Sequence, residues 1–341
     1  IIPLDNKLTP QQNAQSYYKK YNKQKRSIEM IDNQIKETKD NLDFLYSIKE
    51  SFRKCTKENE LLEIEEETAP IYYELGHLYV KKQDKINAIS AFKLAVEQEP
   101  ENPFYNNSLA YAFVQAELYD DAIEYYQKAI KLNPDTEWTS IVCEALGSIY
   151  YQIKENYEAA IASYQAGSVL DPNNSEIFLS LGDVYMSDND LDNAIRAYCD
   201  SINIKSDDYR AFAKLGIALW EKDYLEEAIV AYNKAIDLNP EYDVAQNNLG
   251  VIYLDGLGDT QEALKYFNVA IELNPNYTLA YFNAGRCEQT LGNKKEAAEN
   301  YQMAIDLNKL TNELDENSKE IQDTEDEINK LNEEIEKDIE N

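Results

Sequence analysis

An all-α solenoid with a long helix at each end is the fold class that three observations predict. A short phrase recurs: "KAIDLNP" ends at Pro240, "KAIKLNP" at Pro134, "AIELNP" at Pro275 and "AGSVLDP" at Pro172. Only nine prolines and ten glycines are spread over 341 residues, against 27 tyrosines, a usage that suits helices better than sheets. Neither Pro nor Gly occurs between Pro10 and Pro70, nor anywhere from Lys294 onward. The organisation expected is a helix over residues 1–67, seven repeats over 68–311 and an acidic helix over 312–341.

In the first segment, Tyr17, Tyr21, Ile28, Ile31, Ile35, Leu42, Leu45 and Phe52 fall mostly at alternating three- and four-residue steps. That spacing predicts a coiled-coil seam, interrupted by polar Gln24, Thr38 and Lys49. Lys19, Lys20, Lys23, Lys25 and Arg26 form one basic patch. The opening "IPLDNKLTPQQNAQ" resembles the middle coiled-coil region of NFACT-type proteins, the fibronectin-binding-like bacterial family of ribosome-associated quality control. Ile2, Pro3, Leu4, Asp5, Leu8, Pro10, Asn13, Ala14 and Gln15 carry the likeness. The resemblance implies a helix of a coiled-coil hairpin and, through the basic patch, a contact with the large ribosomal subunit. The outgoing helix of that hairpin and the family's other domains have no counterpart here. A chain that starts at Ile1 and not Met reads as a piece of a longer product.

The repeats follow. In residues 69–102, Leu75, Gly76, Tyr79, Ala88, Phe92, Ala95 and Pro100 stand at positions 7, 8, 11, 20, 24, 27 and 32 of a 34-residue unit. Residues 103–136 place Leu109, Ala110, Phe113, Ala122, Tyr126, Ala129 and Pro134 at the same offsets. A third unit starts near Ser140 and slips one residue after Tyr150, with "DTEW" and its Trp138 as a short insertion in front. Further units start at Ser175, Tyr209, Asp243 (one inserted residue) and Thr278. Each holds two apolar stretches of helical period. Small residues at 8, 20 and 27 let the two helices approach, aromatics fill the space beside them, and proline ends the second helix. Asp120 is the expected N-cap of the second unit's second helix. One pair cannot bury its apolar face alone; stacked neighbours bury it jointly.

This pattern resembles the tetratricopeptide (TPR) family. The resemblance implies a right-handed superhelix whose concave groove is lined by the first helix of each unit, and a role in holding proteins or peptides. Its groove positions 2, 5, 6, 9, 12 and 13 share one helical face. Here they select Tyr73, Asn107, Tyr111, Arg210, Lys214, Asn247, Asn248, Asn283 and Arg286 as contact residues. Side-chain amides can donate to and accept from an extended peptide backbone, and the basic groups can meet a carboxylate. The alternative use of the amides is contact between neighbouring helices. The family's clamp for chaperone C-termini is not present: the third to fifth units offer Glu144 and Ser148, then Ser180, then Arg210 and Lys214.

In the tail, Leu314, Ile321, Ile328 and Ile335 recur every seven residues, with Leu310 and Leu331 at the partner position. Lys309 stands where proline ends the other units, so the last repeat helix is expected to run on. Self-repulsion of this acidic seam favours pairing with the more basic N-terminal helix, within or between chains, over pairing with its own copy. An exposed capping helix is the alternative.

The net charge of −31 disfavours general binding to DNA. No apolar run approaches the ~20 residues of a membrane span. Cys55, Cys143, Cys199 and Cys287 form neither a CxxC pair nor a disulfide framework and read as buried thiols of a cytoplasmic protein. His77 has no second histidine, and no nucleotide, nucleophile or metalloprotease motif is present, so neither catalysis nor a cofactor is expected.

Overall fold

The computed structural model describes residues 23, 25, 28–43, 58–134, 136–311 and 326–334, and every regular element among them is a helix. Two compact units divide the chain, Ile1–Asp171 and Pro172–Asn341. The first contains α1 (28–43), α2 (Glu58–Lys82), α3 (Lys85–Gln98), α4 (Pro103–Gln115), α5 (Tyr119–Leu132), α6 (Glu137–Gln152) and α7 (Tyr157–Leu170). The second opens with α8 (Ser175–Ser187), α9 (Leu191–Ile204), α10 (Tyr209–Glu221) and α11 (Leu225–Leu238). Next comes α12 (Asp243–Val251), continued by a π-helical turn at Ile252–Gly256. It ends with α13 (Thr260–Leu273), α14 (Thr278–Leu291), α15 (Lys294–Thr311) and α16 (326–334). The pairs α2–α3 through α14–α15 are the seven repeats.

Within a repeat the ring at position 24 lies across the small residue at position 8. Phe92, Tyr164, Tyr198, Tyr232, Phe267 and Tyr301 cover Gly76, Gly147, Gly182, Gly216, Gly250 and Gly285. A Cβ added at Gly216 would come within 2.9 Å of the Tyr232 ring, closer than real Cβ contacts allow. Ala88, Ala122, Ala160, Ala194, Ala228, Ala263 and Ala297, all at position 20, are completely buried between the paired helices.

The turn inside each pair has a common device that periodicity does not reveal. One residue takes a positive φ: Gln83, Glu117, Glu155, Asn189, Asp223, Gly258 and Gly292. The next amide then reaches back to the end of the first helix, as Asp84 to the Tyr79 carbonyl (2.9 Å) and Leu118 to Phe113 (2.9 Å). This is the left-handed C-terminal cap that satisfies otherwise orphaned carbonyls. The following helix is capped by Asp84, Asn156, Asp190 or Asp259, each accepting an amide three residues on.

Asp120 does not cap α5. The cap residue is Leu118, without a side-chain bond, and Asp120 sits in the first helical turn, paired with Lys154 at 2.6 Å. The insertion expected before the third repeat is there, and it extends the first helix. Thr136 caps α6 with a bond to the Thr139 amide, and Trp138 lies inside the helix, 4.7 Å from the Phe104 ring. The extra residue of the third repeat lengthens its turn, where the Asn156 amide reaches the Tyr150 carbonyl (2.8 Å). That of the sixth is absorbed by the π-helical turn.

α2 runs through Pro70 without ending there, so the boundary expected at 67/68 falls inside a helix. Proline at this point costs the bond to the carbonyl four residues back. α1 buries Ile35 and Leu42 in the core of the first unit, and Asp32 pairs with Lys82 of α2. α16 buries Ile328 and Leu331 beside Ala298, Tyr301 and Ile305 of α15, and Lys294 pairs with Glu334 at 3.2 Å. In both end helices the described seam residues thus cover the adjoining repeat; Ile28 alone is exposed. α15 runs past Lys309 as expected. Tyr17, Tyr21, Leu45, Phe52, Leu314, Ile321 and Ile335 lie outside the described residues.

Candidate binding surface on the first helices

In the first unit the first-helix positions bring rings together. Tyr73 of α2 packs against His77 (4.5 Å between centroids), Phe92 (5.9 Å) and Tyr105 of α4 (4.9 Å). Burial pushes the His77 imidazole below its ordinary pKa, against Glu74 which favours the cation. Neutral, edge-packed His77 is therefore part of an aromatic cluster. Phe104 and Tyr111 on α4 remain 47% and 44% exposed, Phe104 even with the Trp138 ring packed on one side. Between them lies half-buried Asn107. Lys23 and Lys25 are helical and exposed; Lys19, Lys20 and Arg26 lie outside the described residues.

The second unit uses the same positions for bonds between successive first helices. Arg210 on α10 pairs with Glu176 on α8 and with Asp208, the N-cap of its own helix (2.6 Å). These hydrogen bonds hold the guanidinium firmly protonated. Asp208 is buried, which alone would raise its pKa; the side-chain and backbone bonds from Arg210 outweigh this and hold the carboxyl below its usual range. Lys214 donates to both carboxylate oxygens of Asp183 on α8, at 2.8 and 3.0 Å. The Tyr198 hydroxyl donates to that same carboxylate (2.8 Å).

The amides behave likewise. Asn283 of α14 donates to Asn247 of α12 (3.1 Å), and Asn247 donates to Asn248 (3.1 Å). Asn248 donates to the Tyr232 hydroxyl (3.3 Å). Asn247 and Asn283 are buried. Arg286 meets Asp255 of the π-helical turn at 2.7 and 3.2 Å, and this carboxylate raises its pKa. Trp220 packs on Gly256, where a Cβ would come within 2.9 Å of the indole. That close approach explains a glycine in the turn.

Each predicted cation in the second unit thus has a carboxylate partner, and the amides form the helix-to-helix contacts that were the alternative. The partners Glu176, Asp183 and Asp255 were legible in principle: each lies 31 or 34 residues before its cation, one repeat earlier. Burial raises the pKa of Cys143, Cys199 and Cys287, the last to about 12, so these thiols stay protonated. No cluster of three His, Cys, Asp or Glu able to hold a metal occurs among the described residues. No described helix is long and apolar enough to cross a membrane.

Tandem helix pairs whose first helices carry polar or aromatic side chains at equivalent positions define a helical-repeat interaction scaffold. Comparison with known families agrees. Tetratricopeptide-repeat models match residues 106–136, 147–189, 175–208, 224–255 and 251–309, together more than half the chain. The chain belongs to the tetratricopeptide-repeat family. The model of the NFACT N-terminal and middle domains matches residues 1–86, and so includes α2 whole.

Peroxisomal targeting signal receptors are among its relatives, 27% identical over 194 residues in Candida albicans and 25% over 182 in Saccharomyces cerevisiae. These alignments take in 53% and 52% of this chain but 31% and 30% of the receptors, so the chain spans under a third of their length. Among solved structures, the C-terminal part of a TPR protein from Cytophaga hutchinsonii matches with TM-score 0.59 and 18% identity, over 74% of this chain and 98% of that one. A TPR protein from Parabacteroides merdae matches with TM-score 0.56 and 17% identity, over 77% and 99%. These two share the fold. The array makes the chain a protein–protein interaction scaffold.

Proposed function

We propose that the chain is a non-enzymatic cytosolic scaffold that holds a peptide or partner segment against the first-helix face of its repeats. Tyr73, Asn107 and Tyr111 are the contact residues of the first unit. Arg210, Lys214, Asn247, Asn248, Asn283 and Arg286 contribute by fixing the spacing of neighbouring first helices in the second. The observation that carries this reading is the exposure of Phe104 and Tyr111, at positions where the second unit's bonded groups are Glu176 and Arg210, and Asp183 and Arg286. Aromatic side chains offer large contact area with little conformational freedom to lose. Relatives named as receptors for a targeting signal support a ligand of peptide kind. Selection of a displayed random-peptide library on the whole chain tests it. An enriched peptide should lose at least tenfold affinity with Tyr111→Ala or Phe104→Ala. Equal affinity in both variants would reject the assignment.

The NFACT match over residues 1–86 supports a second reading, in which the N-terminal segment contacts the large ribosomal subunit through Lys19, Lys20, Lys23, Lys25 and Arg26. The whole chain should then co-sediment with purified large subunits at low salt. Replacing all five by Glu should abolish this, because phosphate contacts depend on those charges. Absence of co-sedimentation at low salt removes the reading.

A further inference from the structure

A groove between α10 and α11 lies apart from the candidate surface. It uses positions 4, 7 and 11 of the first helix, Phe212, Leu215 and Leu219, together with Val230 and Ala231 of α11. It lacks a ring pair that two other repeats have. In the second and sixth repeats, aromatics at positions 11 and 23 meet: Phe113 with Tyr125 (5.6 Å) and Tyr253 with Tyr266 (5.3 Å). The fifth repeat has Leu219 and Ala231 there, and the space stays open. Val230 beside it is 68% exposed, where other repeats carry Ser90, Glu124, Ala162, Arg196, Lys265 and Glu299.

We infer that this groove binds an amphipathic helix of a partner protein, with aliphatic anchors on one face and Lys or Arg flanking them. Charge supports the choice of occupant. Glu226, Glu227 and Asp237 line the groove against the single cation Lys234, and none of these carboxylates has an ion-pair partner among the described residues. A second copy of a chain carrying a net charge of −31 would meet repulsion at this acidic groove, which a basic helix would not. The α11 stretch from Glu226 to Asp237 extends ~17 Å, the length of about three helical turns. An apolar helix face laid into such a groove is an established recognition geometry.

The test uses the whole chain and a fluorescent 18-residue probe with leucines at i, i+3, i+4 and i+7 and lysines on the flanks. Its control has the same composition with the leucines redistributed. The probe should bind saturably and the control at least tenfold more weakly. Ala231→Tyr, which supplies the ring that Tyr125 and Tyr266 supply elsewhere, should weaken probe binding at least tenfold with an unchanged far-ultraviolet spectrum. Val230→Lys should do the same from an exposed position that cannot disturb folding, and Tyr111→Ala should leave binding intact. Equal affinity for probe and control overturns the inference, as does binding that survives Val230→Lys.

Discussion

The two units of the chain are made from the same helix pair yet spend their first-helix positions differently. In Ile1–Asp171 several of these positions hold rings, and Phe104 and Tyr111 are exposed. In Pro172–Asn341 they hold Arg210, Lys214, Asn283 and Arg286, each bonded to the preceding first helix. A repeat position therefore fixes where a side chain points but not whether it is free to bind. That depends on what stands one repeat earlier.

The largest effect should come from breaking what the units share. Tyr198→Ala removes a buried ring and its bond to Asp183, and should cost about 3–5 kcal/mol, as for other buried aromatics. Tyr111→Ala, at an exposed tyrosine of the first unit, should stay within about 1 kcal/mol while weakening the ligand. Urea unfolding of both variants compares them directly. Similar losses would mean that Tyr111 is a packing residue and not a contact for a ligand.

Asn283→Ala sharpens the contrast from the polar side. It leaves the buried Asn247 carbonyl oxygen without its donor, at a cost of about 1–3 kcal/mol. Affinity for a ligand of the first unit should not change. A variant of full stability with weakened ligand would return the amides to the role of contacts.

The second unit should also be the acid-sensitive one. The Asp208 carboxyl is held below its ordinary value in the folded chain, so the unfolded chain takes up its proton more readily as pH falls. The contribution is fully present above the unfolded value of about 3.9 and is lost as pH falls through the folded one. Arg210 is itself 41% exposed, so screening keeps the effect modest. Asp208→Asn should flatten the stability profile below pH 4; an unaltered profile would show that the pair does not couple to folding.

Most of the fold was legible because the repeat repeats. Leu and Gly at 7 and 8, Ala at 20 and an aromatic at 24 recur seven times with few exceptions, and each is required by one contact. The candidate surface was half legible. The 34-residue register picks out Asn247, Asn283 and Arg286, but their bonds depend on residues 31–36 away, which a single position does not reveal. Asp120 misled because an acidic residue near a helix start is common both at the cap and in the first turn. The insertion around Trp138 was legible from the count of residues but its conformation was not: α6 starts three residues earlier than the other first helices do relative to their repeat, so the extra residues are helical.

The smallest prediction concerns the turns, where the units differ again. In the first unit the positive-φ position is Gln83, Glu117 and Glu155; in the second it is Asn189, Asp223, Gly258 and Gly292. The left-handed conformation crowds a Cβ against the backbone, a cost that glycine escapes and that Asn or Asp partly offsets. Glu117→Gly, at φ 64°, should therefore stabilise the first unit by about 0.5–1 kcal/mol, the relief less the added freedom of the unfolded chain. Asn189→Gly, at φ 59°, should change the second unit by no more than a few tenths. The urea midpoints of the two variants measure the difference. A gain at Asn189 equal to that at Glu117 would mean that both units carry the same strain, and that the contrast between them is confined to the first-helix face.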